Sequence, residues 1–328
     1  MNYDEFLEYI EKNLLEVYEE YERKNMKLSD EEADDFISKC SLSIQQVVKN
    51  NGIVLDAVCI HREGRSLSPN IYLKPYYDSY EMGKPLEMIM EDIVHRYKEE
   101  MDNNDIEYVD ISDYSNVGSN LVVRVVNYEM NKELLKSCPH KRYLDVAITF
   151  RYVFDVNEVG IASALITNKE FDKWGVGIEE VYERALFNTM QKYPWDIQSI
   201  TDMIVDLYKE KIEHLGGNLP APSEVFGDLP QDVNMYILTN HDKAYGATCM
   251  LYDNVIANFA KVSNANVYVL PSSVHEVLLV PEYEGVDPSF LQYLLCEGNK
   301  SSVGFIDLLS DSIYYFDRMM DRLIIAPM

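Results

Sequence analysis

The most regular pattern of hydrophobic and polar positions lies at the N-terminus of the chain. Between residues 3 and 24, apolar positions recur at alternating spacings of four and three, with Glu and Lys at most of the others. The apolar positions are Tyr3, Leu7, Ile10, Leu14, Val17 and Tyr21. This spacing places apolar side chains on one face of an α-helix. We therefore predict an acidic, amphipathic N-terminal helical region over residues 1–35, packed on its own domain, with a coiled-coil seam as the alternative.

After an acidic loop, the chain changes to short stretches with a period of two, separated by turn residues and longer helical patterns. The clearest strand is LDVAITFRYVFD at residues 144–155, where apolar residues alternate with mostly polar ones, so one face should lie in the core. Strand, strand and helix recur near residues 53–100, 144–192 and 267–299. The pattern predicts an α+β fold, in which repeated strand-strand-helix units build mixed or antiparallel sheets with helices packed on them.

Local features add detail to this fold. The stretch SPNIYLKPYY predicts a strand that sits at a sheet edge or ends at Pro75, because proline lacks the donor that a ladder needs. Helices are predicted from about Asp196 to Lys211 and from about Tyr245 to Lys261. Asn188 is interpreted as an ordinary residue near the C-terminal end of a helix.

The strongest break in the pattern is LGGNLPAPSEVFGDLPQD at residues 215–232, which holds three glycines and three prolines. Such a composition is typical of a linker. It divides the chain into a first α+β domain or half at 46–214 and a second at 233–328. One continuous domain is the alternative.

Composition and charge limit the class of protein. With 47% hydrophobic residues the chain can bury an ordinary core, and no apolar stretch approaches the roughly 20 residues of a membrane helix. The N-terminus is acidic where a signal peptide is basic and then apolar, so we expect a cytoplasmic protein. The formal net charge of −27 disfavours direct binding to nucleic-acid phosphates.

No local motif indicates a metal or a cofactor. The five cysteines never form a C-x-x-C pair, and the six histidines include no pair at i and i+4. A glycine-rich phosphate loop is also missing from the sequence. We therefore expect neither a metal site nor a bound cofactor.

The stretch LPSSVHEVLLVP at residues 270–281 holds the best candidates for chemistry. Ser272 or Ser273 as nucleophile, His275 as base and Glu276 as orienting acid are the residue types of a hydrolase triad. Along an extended strand, however, Ser273 and His275 share one face while Glu276 points to the other, so base and acid meet only across a bulge. We expect a buried structural strand, with His275 packed among aliphatic side chains and bonded only to backbone.

Several stretches together resemble an uncharacterised bacterial family, a domain of unknown function of clostridial type. They lie between about residues 46 and 317 and read KNNGIVLDAVCI, SPNIYLKPYYDSYEMG, VVNYEMNKELLKSCPH, LDVAITF, LFNTMQKYP, YGATCMLY, LPSSVHEVLLVP and LSDSIYYFD. Because that family has no assigned reaction, the resemblance implies no activity, ligand or catalytic residue.

These observations favour a non-enzymatic protein that acts through protein-protein contacts. The missing motifs, the acidic surface and 25 tyrosines against 11 phenylalanines support this, because tyrosine suits positions with one wet and one dry side. The first alternative is an enzyme, most readily a hydrolase centred on residues 270–281. The second is an acidic mimic of nucleic acid, formed by Glu16, Glu19, Glu20 and Glu22 of the N-terminal helix.

Overall fold

The computed structural model of the chain describes residues 1–27, 29–63, 68–102, 109–157, 160–206 and 234–327. These residues belong to two compact units. The first contains Met1–Asp110 and Phe154–Ile161, and the second contains Ile111–Val153 and Ala162–Met328. The predicted linker at 215–232 lies outside the described residues. The division into domains at 46–214 and 233–328 therefore stays a prediction.

The N-terminal pattern forms the helix that it predicts, α1 (Tyr3–Met26). Its first turn is closed by a capping box, in which Asn2 Oδ1 accepts from Glu5 N at 2.9 Å and the Glu5 carboxylate accepts from Asn2 N at 2.9 Å. Its fully buried line consists of Phe6, Ile10, Leu14 and Tyr18. Ile10 and Leu14 are buried as predicted, but the centre of the buried face is rotated around the helix. The other predicted positions are only half-buried and lie at the borders of that face: Tyr3, Leu7, Val17 and Tyr21.

The predicted acidic loop is wrong, because a second helix, α2 (Asp30–Ser38), follows α1. Ser29 and Glu32 form another capping box: Glu32 Oε2 accepts from Ser29 N at 2.9 Å, and Ser29 Oγ accepts from Glu32 N at 3.4 Å. This pair satisfies two N-H groups that a helix start leaves unpaired. The acidic residues thus begin a helix instead of an irregular segment.

The first unit also contains an antiparallel sheet of β1 (Cys40–Val48), β2 (Val54–Arg62) and β3 (Ile71–Tyr72), in that order. The expected strand around Pro75 ends after two residues, because α3 (Lys74–Glu81) begins there with proline in its first turn. Proline is tolerated at that position since the missing N-H has no helical partner anyway. The next helix, α4 (Leu86–Asp102), contributes side chains to the same core as α1 and β2.

The remaining elements follow in chain order, with a 3-10 helix at Gly246–Leu251. They are α5 (Tyr114–Val117), β4 (Leu121–Asn127), α6 (Lys132–Leu135), β5 (His140–Tyr143), β6 (Val146–Asn157), β7 (Gly160–Leu165), α7 (Asn168–Trp174), α8 (Ile178–Lys192), β8 (Trp195–Ser199), β9 (Tyr236–Asn240), α9 (Val255–Val262), β10 (Val267–Leu270), β11 (Val277–Pro281), α10 (Pro288–Ser302), β12 (Tyr314–Asp317) and β13 (Arg322–Ile325).

Two further sheets are built from these strands. One has the order β4-β6-β5, with β7 also paired to β6, and the other has the order β13-β12-β10-β11-β9-β8. The pairings are antiparallel, and helices pack on the sheets, so the predicted α+β class is confirmed. Strand-strand-helix order is found in each predicted region. Among the described residues, no helix combines the length and apolar content needed to cross a membrane.

Two predicted helices differ from the structure. Residues 195–199 form β8, which pairs with β9, and helix begins only at residue 200. The predicted helix from Tyr245 to Lys261 is divided into the 3-10 helix and α9, because Asn254 has a φ of 62° and breaks the α-helical path. β8 and β9 come from opposite sides of the predicted linker and share one sheet.

Strand β6 is more buried than its alternation suggests. Ala147 and Thr149 on the predicted polar face are 0% and 2% exposed. The neighbouring strand β4 is held on its free edge by α8: Asn188 Nδ2 donates to Leu121 O at 2.9 Å, and Val123 N donates to Thr189 Oγ1 at 2.9 Å. Asn188 is therefore not an ordinary helix-end residue, since it completes the edge of a sheet.

Candidate functional site

The stretch at 270–281 is not one continuous strand. Leu270 ends β10 and β11 begins at Val277, so residues 271–276 form the loop that joins two antiparallel strands. A second segment pins this loop: Val274 N donates to Asp307 O at 2.8 Å, and Leu309 N donates to Ser272 O at 3.0 Å. The expected buried strand is therefore found at Val277–Pro281 and is wrong for residues 271–276, which form a loop. The loop backbone is fixed by residues about 35 positions further along the chain.

His275 is bonded on both ring nitrogens. Tyr245 N donates to Nδ1 at 3.3 Å, and Nε2 lies 3.3 Å from Asp307 Oδ1. Because Nδ1 accepts a hydrogen bond, the neutral ring carries its proton on Nε2, which donates to Asp307. The expected aliphatic packing with bonds only to backbone is therefore wrong. His275 forms a histidine-carboxylate pair, and its ring also contacts the ring of Tyr245, with centroids 5.4 Å apart.

The predicted serine and glutamate residues lie in the same loop. Ser273 is buried, and its Oγ accepts from His275 N at 3.0 Å, which is a local turn contact with the backbone. Burial raises the pKa of Glu276, and Asp307 raises it further, whereas His275 and Ser273 lower it. Ser272 is half-buried, and its carbonyl is held by Leu309. The fold therefore brings Ser273, His275 and Glu276 together, with Asp307 as an unpredicted neighbour.

These residues do not have the geometry of a working triad. In a triad, one nitrogen of the histidine faces the acid and the other takes the proton of the nucleophile. Here the acid is Asp307 at Nε2, while Nδ1 already accepts the backbone N-H of Tyr245. The Ser273 hydroxyl contacts the His275 backbone instead of its ring. The site joins His275 to a carboxylate, and within the described ranges no hydroxyl group bonds the His275 ring.

The loop rests closely on the start of the 3-10 helix. A Cβ on Gly246 would lie 2.5 Å from His275 O and 2.7 Å from Asn240 N, closer than real Cβ atoms approach. Thr239 Oγ1 donates to His275 O at 2.8 Å, which fixes the same carbonyl. Tyr245, with a φ of 56°, turns its N-H toward His275. Gly246 is thus the position that allows the backbones to meet.

Arg124 is a functional candidate that the sequence pattern did not single out. Its guanidinium carbon lies 3.4 Å from the centroid of the Tyr245 ring, which also contacts His275. The residue is only 9% exposed. Burial, followed by the nearby charge of Arg151, lowers the pKa of Arg124 to about 10. The available signal was the sequence LVVRVVN, in which one charge interrupts a buried strand.

Helix α10 presents a second candidate surface. Its inner face buries Leu291 and Leu295 in the core. Its outer face carries Phe290, Tyr293 and Leu294, which are 55%, 59% and 39% exposed. These positions are i, i+3 and i+4, so the three side chains lie together on one side of the helix. An amphipathic helix normally turns polar residues outward. The second half of α10 does so with Glu297 and Lys300, whereas its first half exposes these three apolar side chains.

Within the described ranges, no group of three or more His, Cys, Asp or Glu side chains is arranged to hold a metal ion. A family model described as a family of unknown function (DUF5688) matches residues 3–318. No curated protein and no solved structure matches the chain.

Proposed function

The chain belongs to a family of unknown function, DUF5688, and we propose that it is a cytoplasmic, non-enzymatic protein that acts by binding another protein through the outer face of α10. The membership agrees with the resemblance predicted from the sequence, whereas a bacterial, clostridial-type origin stays a prediction. One observation carries the proposal. Phe290, Tyr293 and Leu294 form an exposed apolar cluster on a helix whose other face is already buried.

The geometry of α10 also indicates what kind of partner suits it. Side chains at i, i+3 and i+4 are the anchors with which a helix occupies an apolar groove of another protein. Aromatic residues are enriched among the contacts that contribute most to binding. The chain carries a formal charge of −27, so basic residues around the groove of the partner would add attraction and speed association. We therefore propose a partner with an apolar groove bordered by Lys and Arg.

A double substitution tests this surface. Phe290→Asp with Tyr293→Asp places two charges in the cluster without changing the buried face of α10. Tagged wild-type protein should recover a stoichiometric partner from a lysate of the source organism, and the double variant should not. Met82→Asp is the matched control, because Met82 is 88% exposed and lies in the first unit. It should retain the partner.

Light scattering of the purified wild type and double variant measures the oligomeric state. It therefore distinguishes a partner that is a second copy of this chain from a partner that is a different protein. A dimer that the double variant loses would make the partner another copy. The proposal fails if wild-type and double-variant protein recover the same partners. It also fails if no stoichiometric partner is found while a turnover assay responds to point mutation.

The hydrolase alternative has weaker support. It would need His275 to release the N-H of Tyr245 before Nδ1 could accept a proton from a hydroxyl group. Candidate residues for it remain Ser272, Ser273, His275 and Glu276. A hydrolytic rate on ester or phosphoester substrates that His275→Gln abolishes, while Met82→Asp leaves it intact, would restore this alternative.

The nucleic-acid mimic is also less favoured. Glu22, one of its four proposed residues, is 1% exposed and its carboxylate lies 2.8 Å from Lys98 Nζ. It is therefore an internal ion pair and does not present charge to a partner. Glu19 and Glu20 pair with Arg23 and Lys24 on the same helix, which reduces the negative field of that face.

A further inference from the structure

Strand β4 contains a buried cation. Arg124 is 9% exposed, and its guanidinium stacks on the ring of Tyr245, whose side chain is also a hydrogen-bond partner. Among the described residues, the groups that act on its charge are Arg151, Tyr245 and Tyr193, and none of them is a carboxylate. Its five N-H donors therefore have no anionic acceptor in the described part of the chain.

The contact with Tyr245 does not compensate for burial of the charge. Removing an unpaired cation from water costs several times what a cation-π contact returns. A second cation adds to the cost of burying this charge. Burial lowers the pKa of Arg124 most, and the charge of Arg151 lowers it further. Two neighbouring positive groups repel one another and create a local preference for an anion.

Tyr193 supplies a second buried donor near this cation. Its hydroxyl makes no hydrogen bond within the ranges that the structure describes. Thr189, one helical turn before Tyr193, accepts from the N-H of Val123, the residue before Arg124, so the fold brings Tyr193 and Arg124 to the same place. Burial raises the pKa of the Tyr193 hydroxyl, and the charge of Arg124 acts in the opposite direction. Tyr193 is held firmly, because its N donates to Thr189 O at 2.8 Å and its O accepts from Tyr252 OH at 2.9 Å. A buried hydroxyl without a partner is costly unless something binds it.

We propose that Arg124, Tyr193 and Tyr245 form a binding site for an oxyanion, the carboxylate or phosphoryl group of a small ligand. The planar guanidinium offers two parallel N-H groups to such an anion, and the Tyr193 hydroxyl offers a third donor. The ring of Tyr245 covers one face of the guanidinium, and an anion would bind at the edge of its plane. The site is separate from α10 and does not depend on the function proposed for that helix.

Anion-dependent stability of the full chain tests the site. Thermal unfolding is measured at constant ionic strength and neutral pH in potassium chloride, with potassium phosphate or potassium acetate added in separate titrations. In wild-type protein the Tm should rise with the logarithm of the anion concentration once that concentration exceeds the Kd, by about 3 to 6 °C at 100 times the Kd. Such a rise with phosphate alone assigns a phosphoryl ligand, and such a rise with acetate alone assigns a carboxylate. General salt effects of phosphate do not have this logarithmic form and are the same in every variant.

Three variants separate the site from a structural role. Arg124→Met removes the charge and keeps an unbranched chain, so it should abolish the logarithmic rise in Tm with the anion while keeping or raising the Tm in chloride. Tyr193→Phe should weaken the apparent affinity about tenfold, as expected for one hydrogen bond to a charged group. Arg142→Gln is the control, because Arg142 is exposed on the same sheet and should leave the response unchanged.

Three results would overturn the proposal. The first is a wild-type protein whose Tm shows no logarithmic rise with either anion. The second is an equal response in wild type and Arg124→Met. The third is a marked fall in the Tm of Arg124→Met in chloride, because a structural partner for the charge would then lie within the chain itself. Calorimetric titration of phosphate and acetate into wild type and Tyr193→Phe gives the same comparison without unfolding.

Discussion

Gly246 shows how one small residue places the 271–276 loop. A methyl group at this position would collide with backbone atoms of His275 and Asn240, which cannot move without shifting β9 or the loop. The hydrogen bonds from Thr239 Oγ1 to His275 O and from Tyr245 N to the His275 ring depend on that approach. The His275-Asp307 pair is therefore a consequence of the missing side chain at position 246.

Gly246→Ala should destabilise the protein by about 2 to 3 kcal/mol, because the added Cβ overpacks a rigid contact. Gly298→Ala is the matched control: Gly298 lies within α10 with no atom near its would-be Cβ, and alanine there should stabilise by about 0.5 to 1 kcal/mol. Urea unfolding of both variants measures the difference. Equal free energies of unfolding for Gly246→Ala and wild type would contradict the close contact.

Glu276 gives the site a dependence on pH. Burial, together with the charge of Asp307, raises the pKa of its carboxyl despite the opposing effect of His275. A carboxyl with a higher pKa in the folded chain binds its proton more tightly there, so its stabilising contribution is complete below the unfolded-state pKa of about 4.3 and is lost as pH rises through the folded-state value. Ionised Glu276 therefore costs stability at neutral pH.

Glu276→Gln should remove this loss of stability. The free energy of unfolding of the variant should fall less steeply than that of wild type as pH rises above about 4.3, and the two curves should separate most at neutral pH. Chemical unfolding at a series of pH values measures both curves. If they run parallel across the range, Glu276 has no raised pKa in the folded chain.

At the level of elements, α8 supplies hydrogen-bond partners on the side of β4 that has no neighbouring strand. Val123 N donates to Thr189 Oγ1, and Asn188 Nδ2 donates to the carbonyls of Gly118 and Leu121 at 2.7 and 2.9 Å. A sheet edge with unpaired backbone groups is thereby closed by two side chains of a helix. The same two residues precede Tyr193 by one turn, so they also fix the position of the proposed anion site.

Thr189→Val should destabilise by about 1 to 3 kcal/mol, because valine has the same shape but leaves the buried Val123 N-H without an acceptor. Thr189→Ser keeps the hydroxyl and should recover most of that loss. Hydrogen exchange at the Val123 amide distinguishes a local effect from general loosening. Slow exchange of this amide in Thr189→Val would show that another acceptor replaces the hydroxyl.

What the sequence could predict depends on whether the signal is local. The α+β class, α1 and α4 follow from periodicity. The capping box of Ser29 and Glu32 was also a local signal and could have predicted α2. Pro75 fits either a strand edge or a first helical turn, so it could not decide between β3 and α3.

The residues of the candidate site could be predicted only in part. His275 and Glu276 were identifiable by residue type, but Asp307, Tyr245 and Gly246 reach them through contacts between distant parts of the chain. The 3-10 helix and the break at Asn254 replaced a predicted continuous helix because tertiary contacts with β9 and β11 outweigh local propensity. The apolar residues around Arg124 in the sequence indicate that it is buried. Only the structure shows that no carboxylate among the described residues acts on its charge.

At the scale of the whole molecule, charge is the dominant feature. The chain has 56 acidic and 29 basic residues, so even complete pairing leaves 27 carboxylates without a counter-charge. The observed ion pairs are mostly exposed and within one helix, such as Lys12-Glu8 and Lys24-Glu20. Pairs of this kind contribute little to stability. Repulsion among the excess acids should therefore outweigh the attraction within pairs.

Salt should consequently stabilise this protein. Raising sodium chloride from about 0.01 M to 0.15 M shortens the Debye length from about 30 Å to 8 Å, which screens long-range repulsion more than contacts between paired groups. The Tm should rise across this range.

Glu11→Lys with Glu16→Lys changes the formal charge by +4, from −27 to −23. Both residues are exposed on α1, so this variant should have a higher Tm at low salt and a smaller response to salt. A Tm that falls with salt, or a variant that responds as wild type does, would mean that the attractive pairs control stability instead.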